Sequence, residues 1–286
     1  MVTNEESPTP YHVKHGFVIM LDALGVRNLS IEESNDFLAG RDKLLEWFEQ
    51  ESRKYFDNLV TMMRFLERVV GDPSAIDPSS RAFPMPPSPP AYYTFGDTIL
   101  ITWEVPTVAE FMHMMALFML MGKTFVQGLT LGLPLRGAMS CGAFIEASGT
   151  VLGPAIADAA NWFDKADWLG LIATPHLGII LDLVIAAFST PQDTSFWLVR
   201  NDVPIKDSDA VRNLWCPSWP YWYAVHTDLG SQRPKVLFHH HLAHFPVPWG
   251  AEQKYANTIA FFDRLYKGGQ PSLDKIKEAL IFDVRI

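Results

Sequence analysis

The stretch GFVIMLDALG, residues 16–25, decides the fold. Its first eight residues form an almost continuous apolar run that is rich in strand-forming side chains. Because this run ends at a turn signal, Leu24 and Gly25, it predicts a buried central strand. Asp22 lies at the end of that strand, beside the glycine turn. We expect a carboxylate in this place to be exposed and oriented, since packing does not account for it.

A second carboxylate is expected close to the first. Residues 91–104 (AYYTFGDTILITWE) contain two β-rich runs on either side of Gly96 and Asp97, which is typical of a β-hairpin. If this hairpin pairs with the strand that ends at Asp22, the two carboxylates converge. Converging carboxylates near backbone N–H groups suit two-metal phosphoryl chemistry. Two ordinary turn aspartates are the alternative interpretation.

The segment after Asp22 is a candidate phosphate site. The backbone amides of Leu24, Gly25 and Val26 lead toward a helix start and are candidates to cradle phosphate oxygens. Ser30 and Glu33 match a capping box, which predicts the helix start itself.

Helical and strand-like patterns alternate along the rest of the chain. The first helical pattern runs from Ser30 to about residue 70, as one helix or as two broken near Gly40, and the proline-dense residues 72–90 predict a loop. The further expectations are helices at 107–126, 155–168 and 251–279, strands at 135–147, 169–174 and 196–200, and an ambiguous apolar segment at 177–188. This alternation predicts an α+β or α/β fold with a sheet covered by helices.

Composition excludes several classes of protein. The chain has 286 residues, of which 48% are hydrophobic, so it can bury a core. A formal net charge of −9 argues against a protein that coats nucleic acid. Two cysteines, Cys141 and Cys216, are too few for a disulfide scaffold. The N-terminus lacks a signal-peptide pattern, and the apolar residues 111–122 and 170–181 fall short of the roughly 18–20 that a bilayer span needs. We expect a cytoplasmic protein with no membrane or nucleic-acid partner.

Four segments follow one another in a pattern that a known family shares. They are residues 17–27 (FVIMLDALGVR), 93–100 (YTFGDTIL), 135–142 (LRGAMSCG) and 151–166 (VLGPAIADAANWFDKA). Together they resemble the first metal motif, the metal-binding hairpin, the following strand and the dimer-interface helix of the class III nucleotide cyclases. The resemblance implies an α+β, ferredoxin-like catalytic domain with an antiparallel-rich sheet. The motifs cover roughly residues 16–174. We expect a tail at 1–15, a cyclase domain at 16–200 and a C-terminal extension at 201–286 packed on the same domain.

The resemblance assigns roles to individual residues. Two divalent cations, Mn²⁺ or Mg²⁺, would be held by Asp22, Asp97 and the backbone carbonyl of Ala23. Arg136 would join the phosphate-binding segment, and Tyr93 and Thr150 occupy the family's base-reading positions. The family forms its active sites across a head-to-tail homodimer and acts on a nucleoside triphosphate.

The chain departs from the family's purine cyclases in informative places. Tyr93 stands where those enzymes carry a base-reading lysine, and Thr150 is not acidic. Ala157 and Asn161 replace the asparagine and arginine that contact the transition state. Two interpretations follow. The first is a pyrimidine cyclase similar to those of the Pycsar anti-phage systems, which make cyclic UMP or cyclic CMP for a separate effector that senses the product; we prefer UTP to CTP. The second is a catalytically inactive cyclase fold that senses nucleotides or dimerises.

Other constellations are weaker. A second kind of two-metal enzyme, such as a diguanylate cyclase or a phosphodiesterase, is disfavoured because no GGDEF-like run is present. The histidines at 239–241, with His244, suggest a metal site, but packing is the preferred interpretation because neighbours on a strand face opposite ways. The aromatic residues 214–223 are interpreted as a packed core segment in preference to a base-stacking surface.

Overall fold

The structure is a computed structural model. It describes residues 12–24, 30–57, 89–105, 111–147, 149–187, 197–206, 210–226, 234–243, 247 and 250–267. The strands are β1 (Val13–Ala23), β2 (Ala91–Phe95), β3 (Thr98–Glu104), β4 (Leu135–Ala147), β5 (Thr150–Leu152), β6 (Gly170–Ala173), β7 (Leu198–Pro204) and β8 (Val211–Pro217). The helices are α1 (Ile31–Asp57), α2 (Phe111–Thr130), α3 (Pro154–Trp162), α4 (Pro175–Ala186), α5 (Trp219–His226), α6 (Pro234–Ala243) and α7 (Glu252–Lys267).

The main sheet is mostly antiparallel. Its order is β2-β3-β1-β4-β5, and β6 joins β4 in parallel. β1 therefore lies between two hydrogen-bonded neighbours, as the apolar run predicts, and Phe17 and Val18 are completely buried. The connections from β1 to β2 and from β3 to β4 each pass over the strand between them. The expected class, α+β with an antiparallel-rich sheet, agrees with this architecture.

The two faces of the sheet carry different partners because side chains alternate along a strand. Phe17, Ile19 and Leu21 of β1 face a large core that includes α1 and α2. Val18 faces the other way, toward Ala155 and Ala159 of α3. Asp22 is four positions after Val18 on the same strand, so its side chain is on the same face of the sheet as Val18. This is the face that α3 partly covers.

The C-terminal elements share the large core. Leu198 of β7, Cys216 of β8, Phe238 of α6 and Phe261 of α7 belong to the same cluster as the central strand. β7 crosses the predicted boundary between residues 200 and 201, and it pairs with β8 in an antiparallel manner. No helix within the described ranges is both long and apolar enough to cross a bilayer.

The start of α1 confirms the capping box. The amide of Glu33 donates to Ser30 Oγ at 3.2 Å, and the amide of Ser30 donates to the Glu33 carboxylate at 2.7 Å. These bonds lower the pKa of Glu33. The helix continues through Gly40 without a break. A Cβ at Gly40 would lie 3.2 Å from the Leu131 carbonyl oxygen, so glycine serves close helix packing there.

One predicted helix is shorter than expected, and the structure resolves one ambiguous segment. α3 ends at Trp162, because the chain then turns and forms an isolated bridge at Ala166. The ambiguous segment is the helix α4, which begins where the hydroxyl of Thr174 accepts a bond from the amide of Leu177 and Pro175 fills the first turn. The expected loop at 72–90, and the ends of the first and last predicted helices, lie largely outside the described residues.

The aromatic segment is core, as predicted. Trp219 and Tyr223 are almost completely buried, and the Trp219 ring lies 4.5 Å from that of Phe125. The histidines lie on α6 and not on a strand. His241 Nε2 is 3.1 Å from the Leu129 carbonyl oxygen and His239 is 3.5 Å from Asp263, so both take part in packing contacts. His244 lies outside the described residues.

Both cysteine thiols are predicted to be unreactive in the native protein. Cys141 and Cys216 are free and buried. Burial raises the pKa of Cys141 to about 12, and burial also raises the pKa of Cys216. Because the thiolate is the reactive form, iodoacetamide at pH 8 is expected to label neither cysteine until the chain is unfolded in urea, as measured by mass spectrometry. Rapid labelling of both under native conditions would contradict this burial.

Candidate active site

The register of β1 and β3 places the two candidate metal-binding residues at neighbouring backbone positions. Asp22 pairs with Thr98, the residue that follows Asp97. The backbone amide of Ala23 donates to the carbonyl of Asp97 at 3.3 Å. The charge of Asp97 is one of the causes that raise the pKa of Asp22. The hairpin thus brings Asp97 to the strand end that carries Asp22.

Arg136 approaches Asp22 from the other side. The two residues are directly paired between β4 and β1. Arg136 Nε donates to Asp22 Oδ2 at 2.8 Å, and Nη2 lies 2.6 Å from the same oxygen. Nη1 of the same guanidinium donates to the carbonyl oxygen of Asp164 at 3.3 Å. Asp22 therefore lies between the hairpin on one side and a bound guanidinium on the other.

Asp22 is buried, which corrects the expectation of an exposed carboxylate. The residue is 7% exposed because Arg136 packs against it. Burial raises the pKa of Asp22, and the charges of Asp97 and Asp164 add to this effect, whereas the hydrogen bond and charge of Arg136 oppose it. The net direction of the pKa is upward, so the interaction with Arg136 does not offset the effect of burial.

The position of Asp164 was not anticipated from the sequence. It follows the end of α3, and its carboxylate lies 3.7 Å from Lys165 Nζ. Its backbone carbonyl holds Arg136 and its charge reaches Asp22. No local sequence pattern predicts that Asp164 lies near Asp22, because the position of Asp164 depends on where α3 ends.

Helix α1 also contributes to the hairpin tip. Arg41 Nη1 donates to the carbonyl oxygen of Gly96 at 3.3 Å, and its guanidinium also binds Asp42. Gly96 has a φ of 64°, a left-handed conformation that glycine adopts readily. The turn that carries Asp97 is thereby attached to α1, a contact that sequence reasoning missed.

The candidate phosphate segment is only partly described. The amide of Leu24 donates to the Pro134 carbonyl at 2.9 Å, so this group is already engaged in the structure. Gly25 and Val26, the other two residues of the predicted cradle, lie outside the described residues. Their role stays a prediction.

The two candidate base-binding residues are separated in the sheet. Tyr93 pairs with Leu100, which in turn pairs with Met20. Met20 is two positions before Asp22 on β1, so Tyr93 lies on the same face of the sheet as Asp22, two residues farther along. Burial raises the pKa of Tyr93, the charge of Glu146 adds to this, and Lys14 opposes it. Thr150 is exposed in β5 at the opposite end of β4 from Arg136. One chain does not bring Thr150 to Asp22.

A polar cluster next to Tyr93 also escaped the sequence analysis. Lys14 Nζ lies 2.6 Å from Glu146 and 3.7 Å from Glu104. The hydroxyl of Thr102, itself buried, donates to Glu146. These residues come from three neighbouring strands, so only the strand register brings them together.

Helix α3 carries Ala157 and Asn161 on its outer side. Ala157 and Asn161 are exposed. The helix is attached to the sheet through Asp158, which accepts a hydrogen bond from the buried Ser140 at 2.6 Å. Neither of these two exposed side chains carries a positive charge.

Comparison with models of known protein families gives no match, and a search of curated proteins gives none. Within the described residues, no three His, Cys, Asp or Glu side chains are grouped closely enough to hold a metal ion. A cation at this site would therefore depend on two carboxylates together with backbone or substrate oxygens.

Proposed function

We propose that this protein is a nucleotide cyclase that converts UTP, or less readily CTP, into the 3′,5′-cyclic monophosphate and pyrophosphate. The pairing of the Asp22 strand end with the Asp97 hairpin carries the proposal. The β-α-β-β-α-β order of the sheet supports it, since this is the connectivity of a ferredoxin-like domain. The four motifs that resemble class III cyclases fall on β1, the hairpin, β4 and α3.

The chemistry of the residues fits a pair of Mn²⁺ or Mg²⁺ ions. Asp22 and Asp97 offer hard oxygen ligands, as does the backbone carbonyl of Ala23. Mg²⁺ is commonly held by one or two carboxylates and by substrate phosphates, so a third acidic side chain is not required.

The proposed reaction is an intramolecular displacement at phosphorus. The ribose 3′-hydroxyl gives its proton to water and its oxygen attacks the α-phosphorus. The bond between the α-phosphorus and the oxygen that bridges to the β-phosphate breaks, and pyrophosphate leaves with those electrons. Bound divalent cations would supply Lewis acidity, lowering the pKa of the 3′-hydroxyl and neutralising the leaving group. Arg136 has the planar fork that suits phosphate oxygens and would stabilise the same charge.

We further propose a head-to-tail homodimer in which each site spans two chains. Thr150 lies far from Asp22 within one chain, so a base contact by this residue would have to come from a second copy. Phe95, on the same face as Asp22, is 57% exposed and offers apolar surface to such a partner. Synthesis of a messenger in the cytoplasm for anti-phage defence, with a separate effector, belongs to this proposal through the resemblance alone.

The direct test is incubation of the purified chain with each of the four ribonucleoside triphosphates and Mn²⁺. The expected product is cyclic UMP, with less cyclic CMP, identified by mass spectrometry beside pyrophosphate. A dinucleotide product, or consumption of added cyclic nucleotide, would instead indicate the diguanylate cyclase or phosphodiesterase alternative.

Tyr93 is expected to contribute to base discrimination. A half-buried aromatic ring at this position can stack on a pyrimidine and restrict the space for a purine. Tyr93→Ala is therefore expected to reduce the ratio of kcat/KM for UTP over ATP by about tenfold. Tyr92→Ala is the matched control, because its side chain points to the opposite face of β2. An unchanged ratio in the Tyr93 variant would leave this tyrosine as an ordinary strand aromatic.

A second candidate function is an inactive cyclase fold that binds nucleotides without turnover. The ion pair between Asp22 and Arg136 favours it, because the carboxylate already has a cation partner. The exposed Ala157 and Asn161 favour it as well. Binding of a triphosphate by calorimetry, with no product from any nucleotide after prolonged incubation, would support this function over the enzyme.

A further inference from the structure

We propose that Arg136 is a built-in counter-cation of Asp22, which a divalent cation must displace before Asp22 can hold two ions. This inference rests on the proposed function, since it concerns how the same site is loaded. It adds a step to the loading of the site, because Arg136 then binds Asp22 before the second cation arrives and binds phosphate afterwards.

The contact geometry carries the argument. Two nitrogens of the guanidinium approach one oxygen, Oδ2, at 2.8 and 2.6 Å. Both side chains are largely buried, at 12% exposed for Arg136 and 9% for Asp22. A buried pair of this kind is little screened by solvent. A cation that approaches Oδ2 would meet a positive charge already in contact with it.

If Asp22 holds two ions, each of its two carboxylate oxygens would be available to one of them. Asp22 can therefore accept a first ion through Oδ1 while Arg136 remains on Oδ2. A second ion requires Arg136 to leave. The proposal thus predicts one cation that binds more readily and one whose binding is opposed by Arg136.

The displaced guanidinium has a place to remain. Its Nη1 donates to the backbone carbonyl of Asp164, a partner that does not depend on Asp22. Arg136 can keep this contact while Nε and Nη2 turn toward an anion. Because coupling between two sites is reciprocal, cation binding at Asp22 favours phosphate binding by Arg136, and phosphate binding favours the cation.

The experiment is a titration of the full chain with Mn²⁺ alone, with free Mn²⁺ measured by electron paramagnetic resonance at constant ionic strength. The variants are Arg136→Gln, Arg136→Lys and Asp22→Asn. Lys165→Gln is the matched control, since it removes one positive charge close to Asp164 without touching Asp22. Melting temperature with and without Mn²⁺ shows that each variant is folded.

We expect Arg136→Gln to lower the Kd of the weaker of the two Mn²⁺ ions by about tenfold, because removal of a charged hydrogen-bond partner of this kind is worth about that factor. Lys165→Gln is expected to change it by less than about twofold. Arg136→Lys keeps the charge but loses the fork, so its Kd is expected to lie between wild type and Arg136→Gln. If Arg136→Gln does not fold, the Kd of Arg136→Lys for Mn²⁺ tests the inference instead: a value equal to that of the wild type would overturn it.

The outcomes separate this inference from the proposed function. If Asp22→Asn abolishes Mn²⁺ binding but the Arg136 variants bind Mn²⁺ as wild type does, Arg136 is not a competing cation and the metal site stands. If Mn²⁺ binding does not depend on Asp22, the metal site itself is wrong and the cyclase proposal falls with it. Equal tightening by Lys165→Gln would reduce the effect to general electrostatics and overturn the inference.

Discussion

Asp22→Ala is expected to reduce cyclic nucleotide production by at least about a thousandfold, below the background of the assay. Loss of a single oriented electrostatic group typically costs about a hundredfold to a thousandfold in rate. Asp22 is proposed to bind both cations and also to pair with Arg136. Its loss is therefore expected to reduce the rate by a larger factor. The measurement is initial rate of cyclic UMP formation from UTP with saturating Mn²⁺.

Asp182→Ala is the matched control for that experiment. Asp182 also binds an arginine, Arg200, but the pair lies on the surface of α4 and β7. Its replacement is expected to leave the rate within about twofold of wild type, since exposed ion pairs contribute little. Circular dichroism shows whether Asp22→Ala is folded, and Asp22→Asn provides a variant of nearly equal shape. Full activity in a folded Asp22 variant would refute the proposed function.

Gly16→Ala and Gly137→Ala are each expected to destabilise the fold by about 3 kcal/mol or more. A Cβ at Gly16 would lie 1.9 Å from the carbonyl oxygen of Trp103, and one at Gly137 would lie 2.1 Å from that of Met20. Backbone of a central strand cannot move away as a flexible side chain can. The strands would have to move apart. This movement would also disturb the register that pairs Asp22 with Arg136. Urea unfolding followed by tryptophan fluorescence measures the loss.

Gly178→Ala tests the same substitution where space exists. Gly178 lies in the first turns of α4, and a Cβ there would be 3.7 Å from Trp215, an ordinary contact. Alanine is the better helix former, so this variant is expected to gain about 0.5–1 kcal/mol. Equal stability of all three variants would mean that β1 does not approach β3 and β4 as closely as described.

Local signals predicted the elements that carry the candidate carboxylates. The apolar run that includes Phe17 and Val18 is a buried central strand, the Gly96 turn closes a hairpin, and Ser30 with Glu33 caps α1. Each of these depends on side chains within a few positions of one another. Periodicity, turn conformation and capping act over that range, so they can be recognised without the fold.

Contacts between distant segments were not predictable in the same way. The bond from Arg136 to Asp22 joins residues 114 positions apart, and the charge of Asp164 reaches Asp22 from the far side of the same segment. The end of α3 at Trp162 and the helical state of the histidines depend on packing as well. No local pattern distinguishes a strand-end aspartate in water from one covered by an arginine.

The amino-acid order by itself determined the buried central strand, where the hairpin turns and that an acidic residue lies at each of these two places. Tertiary structure alone decided what those groups face. Strand register sets Arg136 opposite Asp22 and Tyr93 one repeat away. The physical reason is that register is chosen by burial across the whole sheet, and a shift of one residue would turn every side chain to the other face.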